Sequence, residues 1–191
     1  MTTNAPDIFT NVHKGIRAAL FAATTALGRA GADDERLGAA RAILRQALRF
    51  VAHHGDNEDV LLLPLLAQAA PAVHARMTAA HAALHEPLAA LEAALESASS
   101  ATLYARTGQF VARYLEHMHE EEHALEPHIR VALTVEQLTQ FSRDSVTRTA
   151  PADQRMMIAF MLPAMTRVDV DAFLARLPPP LAAELRPLAG D

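Results

Sequence analysis

The sequence predicts an all-α protein, an up-down-up-down four-helix bundle with additional short C-terminal helices. Three observations lead there. Of the 191 residues 51% are apolar, but only 5% are aromatic and seven are glycine, which suits one Ala/Leu-rich helical domain carrying an appendage. Apolar residues recur with a period near 3.6 in four stretches of about 20 to 25 residues. The connections between those stretches are short, so antiparallel neighbours are the economical packing.

The first helix is predicted to start at Pro6-Asp7, where proline suits the first turn and an acid suits the positive end of the dipole. It carries His13, Ile16, Leu20, Ala23 and Leu27 on one stripe and ends between Gly28 and Gly31. Asp33 or Asp34 caps the second helix, whose row Leu37, Ile43, Leu44, Ala47, Phe50 and Val51 leads to His54 and Glu58. Pro64 then forces a break or a new start. Pro71 opens the third helix, with His74, Met77, His81, Leu84, His85, Leu88, Leu91 and Leu95 on one broad face. Pro87 inside it removes a hydrogen bond and crowds the carbonyl of Ala83, so a local kink is expected beside the histidines. The fourth helix turns Leu103, Phe110, Tyr114, His117, Glu121 and Leu125 inward and ends near Pro127. Beyond it, Thr134 with Gln137 reads as a capping box, and prolines cut the remainder into short pieces. The expected division is a bundle over residues 1–130 and a tail over 131–191. The tail should dock through Met156, Met157, Phe160, Met161, Met165 and Phe173.

Composition removes several classes of function. Without cysteine there is no disulfide framework, thiolate ligand or iron–sulfur cluster, so any metal must be held by nitrogen and oxygen. No apolar segment reaches the ~20 residues of a membrane span, and no signal-peptide pattern opens the chain, which reads as cytoplasmic. A net charge of −5 with scattered Lys and Arg argues against nucleic acid as a partner. No phosphate loop, Ser/His/Asp arrangement or Gly-rich fingerprint is present.

One stretch occurs twice. Residues 54–64 and 117–127 each place His at position one, Glu at five, a second acid at six and Pro at eleven. A helix projects residues four apart from one face, so His54/Glu58 and His117/Glu121 can each hold a shared cation. His81 and His85 form a third pair at that spacing, and His13 sits on the stripe of the first helix. One such pair alone is commonly a surface contact; three on consecutive helices are not explained that way. Five imidazoles and two carboxylates are costly to bury unless paired or bound to metal.

Seven ligands exceed the four that zinc takes and suit two ions. Two bridging carboxylates, five nitrogens and one shared solvent oxygen would leave a single position open for a small ligand. Mixed imidazole and carboxylate donors favour iron over magnesium or calcium. His53, His119 and His123, with Glu116, Glu120 and Glu122, read as a solvated surface, and Tyr114 as an aromatic beside the site.

These residues resemble a known family. The run His13-Lys-Gly-Ile16-Arg17, then His54/Glu58 with the acid and proline after it, then His81, then His117/Glu121 with Glu122 and Pro127, is similar to the hemerythrin-like, or HHE cation-binding, domain. The resemblance covers about residues 8 to 130. It implies a four-helix bundle with a non-haem di-iron centre, two iron ions bridged by two carboxylates and an oxo or hydroxo group. The ligands carried over are His13, His54, Glu58, His81, His85, His117 and Glu121, with His74 as the alternative to His85.

The leading expectation is therefore a protein that binds or senses dioxygen or a related small molecule such as nitric oxide or peroxide. The alternative is a di-iron oxidoreductase of ferritin-like type, a ferroxidase or peroxidase, or an iron-handling protein. Glu116/His119 and Glu120/His123 have its Glu-x-x-His spacing, although both lie on one helix. A metal-free interaction module is the third reading. Neither nucleic acid nor membrane is an expected partner, and a homodimer through the tail remains open.

Overall fold

The computed structural model describes residues 6–177 and 179–189, and every regular element among them is a helix. In chain order α1 spans Thr10–Ala30, α2 Asp34–Asn57, α3 Leu63–Ala69, α4 Pro71–Ala94, α5 Ser100–Glu120 and α6 Glu126–Ala132. The tail holds α7 (Val135–Arg148), α8 (Pro151–Met161), α9 (Arg167–Leu174) and α10 (Pro179–Leu185). Helix α1 lies along α2 and α5, and α4 closes the ring against α5 and α2. The chain is thus a helical bundle followed by short helices.

Starts and stops follow local chemistry. Pro6-Asp7 sits just ahead of α1 instead of inside it: the Asp7 carboxylate accepts the N–H of Thr10 at 2.9 Å and of Asn11 at 2.8 Å, satisfying free donors from outside. Of the two candidate caps for α2 it is Asp33 that accepts the N–H of Arg36. Thr134 and Gln137 form the expected capping box. Helix α4 runs from Pro71 to Ala94 as one element with Pro87 in its interior.

Pro64 and Pro127 do not break their helices. Each is preceded by a five-residue π-helical turn, Glu58–Leu62 and Glu121–Leu125, after which α3 and α6 carry on. In those turns the Leu63 N–H donates to the Glu58 carbonyl and the Glu126 N–H to the Glu121 carbonyl, five residues back. A proline ring would crowd the carbonyl four residues before it, and a wider turn relieves that crowding. The widening also resolves a spacing problem. His54, Glu58, Leu62 and Leu66, like His117, Glu121, Leu125 and Ile129, advance by fours, and each such step precesses about 40° on an ideal α-helix. Through the wide turn all eight stay buried.

Two apolar clusters result, with the histidines between them. One fills the bundle with Leu20, Leu27, Leu44, Leu48, Phe50, Phe110 and their neighbours. The other lies past the π-turns, where Leu62, Leu66, Leu125 and Ile129 meet Phe9, Met77, Leu138 and Phe141. The tail docks by a subset of the expected contacts. Met156, Met157, Phe160 and Met161 pack on the bundle, whereas Met165 and Phe173 belong to a third cluster around Leu162, Val170, Leu174 and Leu185. The division falls at Pro163, in the 3₁₀ turn Leu162–Ala164 that follows α8.

Helix α8 approaches α1 at Gly15, where a Cβ would stand 2.5 Å from Met161 Cγ and 3.1 Å from both Met161 Cα and the Phe50 ring. Gly15→Ala should therefore destabilise the fold by about 1–3 kcal/mol, although Ala favours a helix over Gly by about 1 kcal/mol. Chemical denaturation of the two proteins checks this, and a stabilised variant would contradict the packing.

Candidate metal centre

Six side chains converge between the two clusters. His13 comes from α1, His54 from the end of α2, Glu58 from the first π-turn, His81 from α4, His117 from the end of α5 and Glu121 from the second π-turn. They form two groups of possible ligands, His13, His54, Glu58 and Glu121 on one side and Glu58, His81, His117 and Glu121 on the other. Within each group the ligand atoms lie within 4.8 Å of one another, and all six residues are buried. Both carboxylates belong to both groups. Glu58 turns Oε1 to His54 Nε2 at 3.3 Å and Oε2 to His81 Nε2 at 3.4 Å. Glu121 turns Oε2 to His13 Nε2 at 3.4 Å and Oε1 to His117 and His81 at 3.2 and 3.4 Å.

The ring nitrogens are held with their lone pairs inward. His13 Nδ1 donates to Glu122 Oε1 at 2.9 Å, and Arg17 grips the same carboxylate with two nitrogens at 2.8 and 3.0 Å. His81 Nδ1 donates to Asp59 Oδ1 at 2.5 Å. A carboxylate on one ring nitrogen fixes the tautomer that leaves Nε2 free to bind a metal.

The donors fit a cation. Both oxygens of Glu58 and Oε2 of Glu121 are buried without a hydrogen-bond partner: nitrogens come near, but no N–H is aimed at them. Such atoms are costly unless something positive sits among them. His13 Nε2 and His54 Nε2 face each other at 2.9 Å, where two lone pairs repel unless they share a proton or an ion. Two donors about 2.1 Å from one ion at right angles stand about 3 Å apart, which is the spacing found here.

The sequence model of the hemerythrin HHE cation binding domain matches residues 4–129, about two thirds of the chain. The chain belongs to this family. No curated protein and no solved structure matches it. The HHE chain brings together six of the seven ligands expected from its sequence. His85 is the exception, being exposed and in neither group. The physical reason is helical precession. Val73, Met77 and His81 advance by fours, and Leu84, three residues on, takes the buried stripe back. His85 is left about 40° beyond His81, toward solvent. His74 is half-buried and also outside both groups. Glu116, His119 and His123 are exposed and, like Glu120, join neither group; the rings of His119 and His123 stack on each other at 4.3 Å.

Glu122 was expected among the solvated residues of the HHE chain, but it is half-buried and orients His13. Asp59 performs the same task for His81. The legible signal was the sixth position of the repeat, acidic in both copies: each copy supplies two ligating positions and one acid that orients a histidine from another helix. Arg17, four residues after His13 on α1, is the counter-ion of that acid. Burial pushes the Glu122 carboxyl up, but the hydrogen bonds from His13 and Arg17 outweigh it and hold it at about 2.

Inside the HHE site, burial and repulsion from neighbouring histidines lower His54 well below the usual range and His117 to about 3. Burial pulls His81 down as well, yet hydrogen bonds to Glu121 and Asp59 and the nearby carboxylate of Glu58 raise it to about 11. Burial and the charge of Glu58 raise Glu121 to about 8 against the pull of His81. The metal-free cluster therefore holds protons where a cation would sit. Tyr114, edge-on to His117 with ring centroids 5.4 Å apart, is pushed up by burial and by the charges of Glu121 and Glu58.

Proposed function

We propose that the chain is a non-haem di-iron protein that binds or senses dioxygen or a related small molecule such as nitric oxide or peroxide. The observation that carries this reading is the division of each carboxylate, one oxygen toward His13 and His54 and the other toward His81 and His117. Two ions would find Glu58 and Glu121 shared between them in this layout. An all-nitrogen-and-oxygen donor set without thiolate suits iron, and the cluster is dry enough to keep a bound small ligand from bulk water. Iron supplies reversible binding of dioxygen through change of oxidation state. The six residues of the cluster would hold the ions, while Glu122 and Asp59 orient His13 and His81, and Phe9, Leu62 and Leu125 exclude water.

His85 lies outside the cluster, so each of two ions would be offered two imidazoles and two carboxylates by the protein. A shared solvent oxygen would bring each to five ligands, leaving one position open on both ions instead of one in all. Two adjacent open positions favour a second reading, an oxidoreductase acting on peroxide or dioxygen with both ions. Protein purified from iron-supplied cells separates the readings. About two irons per chain with an absorption band that appears under oxygen and vanishes under vacuum supports binding. Many turnovers of peroxide per site support the enzyme. Less than half an iron per chain, unchanged on adding ferrous iron without oxygen, would sink both.

A further inference from the structure

Helix α5 and the turn after it carry histidines on two faces, and the six-residue cluster uses only the inner one. On the outside, His119 at the end of α5 and His123 in the second π-turn are both exposed. They stand four residues apart with their rings stacked at a centroid distance of 4.3 Å. His123 Nδ1 lies 3.1 Å from the His119 carbonyl oxygen. A carbonyl can only accept, so Nδ1 carries the proton and Nε2 keeps its lone pair. Neither imidazole pairs with a carboxylate among the described residues. Of the acids beside them, Glu120 is taken by Arg76, whereas Glu116, three residues before His119, is exposed and pairs with no Arg or Lys among the described residues.

We propose that His119 and His123 form an exposed metal site, separate from the buried cluster, that takes one divalent transition cation such as zinc or nickel. Two imidazoles four residues apart project from one face, so once the first nitrogen binds, the second is held beside the ion at high effective concentration. A ring whose other N–H rests on a carbonyl is oriented as ligating imidazoles usually are, and that is the state of His123. A Glu three residues before a His on one helix can face the same ion, which puts the charge of Glu116 next to the site. Imidazole selects zinc, nickel or copper over magnesium and calcium. With two nitrogens from the protein and water for the rest, the site is weaker than either inner group and exchanges its ion with solvent. It does not depend on the di-iron reading.

Immobilised nickel touches only the surface of a folded protein, so it reports this pair and not the buried histidines. The untagged full chain should be retained on nickel resin, and His119→Ala and His123→Ala should each elute at markedly lower imidazole. Alanine suits an exposed helical position, and unchanged melting without metal verifies that both variants fold. His85→Ala and His128→Ala, at the other exposed histidines, should elute with the parent. In solution, zinc(II) titrated by calorimetry into iron-loaded protein should fill one further site per chain, about 100-fold weaker in either variant of the pair. Retention unchanged in His119→Ala and His123→Ala, retention lost equally without His85 or His128, or equal zinc binding by parent and variants would each overturn the site. Protein that never keeps iron would fail the di-iron reading alone, since retention on nickel still decides this one.

Discussion

Metal-free protein should lose stability as the pH is raised from 6.5 to 8, and metal-loaded protein should gain it over the same window. The sign follows from which state holds the protons. His81 is raised from 6.5 to about 11 and Glu121 from 4.5 to about 8, so the folded chain keeps two protons that the unfolded chain has released. Stability supplied by a raised pKa is complete below the unfolded value and is lost as pH climbs toward the folded one; each proton contributes up to about 1.4 kcal/mol per pH unit. Below pH 6.5 the opposite holds for His54 and His117, lowered in the fold, since the unfolded chain takes up protons that the buried rings refuse. The metal-free optimum therefore falls near pH 6.5, with a loss on the order of 2 kcal/mol by pH 8. Binding of cations displaces the cluster's protons and is itself favoured by high pH, which reverses the slope. At 100 times its dissociation constant each ion adds about 2.7 kcal/mol. Melting curves from pH 5 to 8.5, in chelator and with ferrous iron under nitrogen, measure both slopes. A chelated protein equally stable at pH 6.5 and 8 would remove the account of the buried protons.

Glu121→Gln should abolish metal retention while leaving the metal-free fold nearly intact. At neutral pH the metal-free Glu121 is a protonated carboxyl, and glutamine has its shape and its lack of charge. Metal-free stability at pH 7 is therefore expected within about 1 kcal/mol of the parent, with the hydrogen bond to His81 kept or exchanged. The carboxylate belongs to both groups of ligands, so its loss should weaken both positions at once, by about 100-fold or more on the scale set by losing even an outer partner. Metal content after dialysis and denaturation in chelator give the two answers separately. A variant that keeps both ions would show that Glu121 does not bridge.

Much of the fold was open to reading in the sequence, because each helix announces itself by apolar period and capping chemistry. Ile16, Leu20 and Leu27 mark a buried face on α1, and Thr134 with Gln137 a helix start, with no knowledge of what packs against them. Six residues of the cluster were legible for the same reason, since repeated i, i+4 pairs are a local property of helices. The errors fell where a residue's surroundings depend on another helix. His85 has the right spacing from His81, but Leu84 takes the inward position. Glu122 sits beside exposed His123 in the chain, yet Arg17 and His13 reach it from α1. By sequence Pro64 marks a break or a new start and Pro127 a helix end; in the structure wide turns precede both, α3 and α6 carry on, and His54, Glu58 and Leu62 are all buried.

By itself the sequence determined the helices, the doubled His/Glu motif and the absence of thiolate ligands, because these depend on residue identity and on spacing within one element. Only the tertiary structure decided that the carboxylates are shared, that Asp59 and Glu122 hold histidines of other helices, and that Asp169 and Asp153 of the tail pair with Lys14 and His53 beside the cluster. Those are relations across helices, set by how side chains interlock when the bundle closes, and no periodicity along a single chain encodes them.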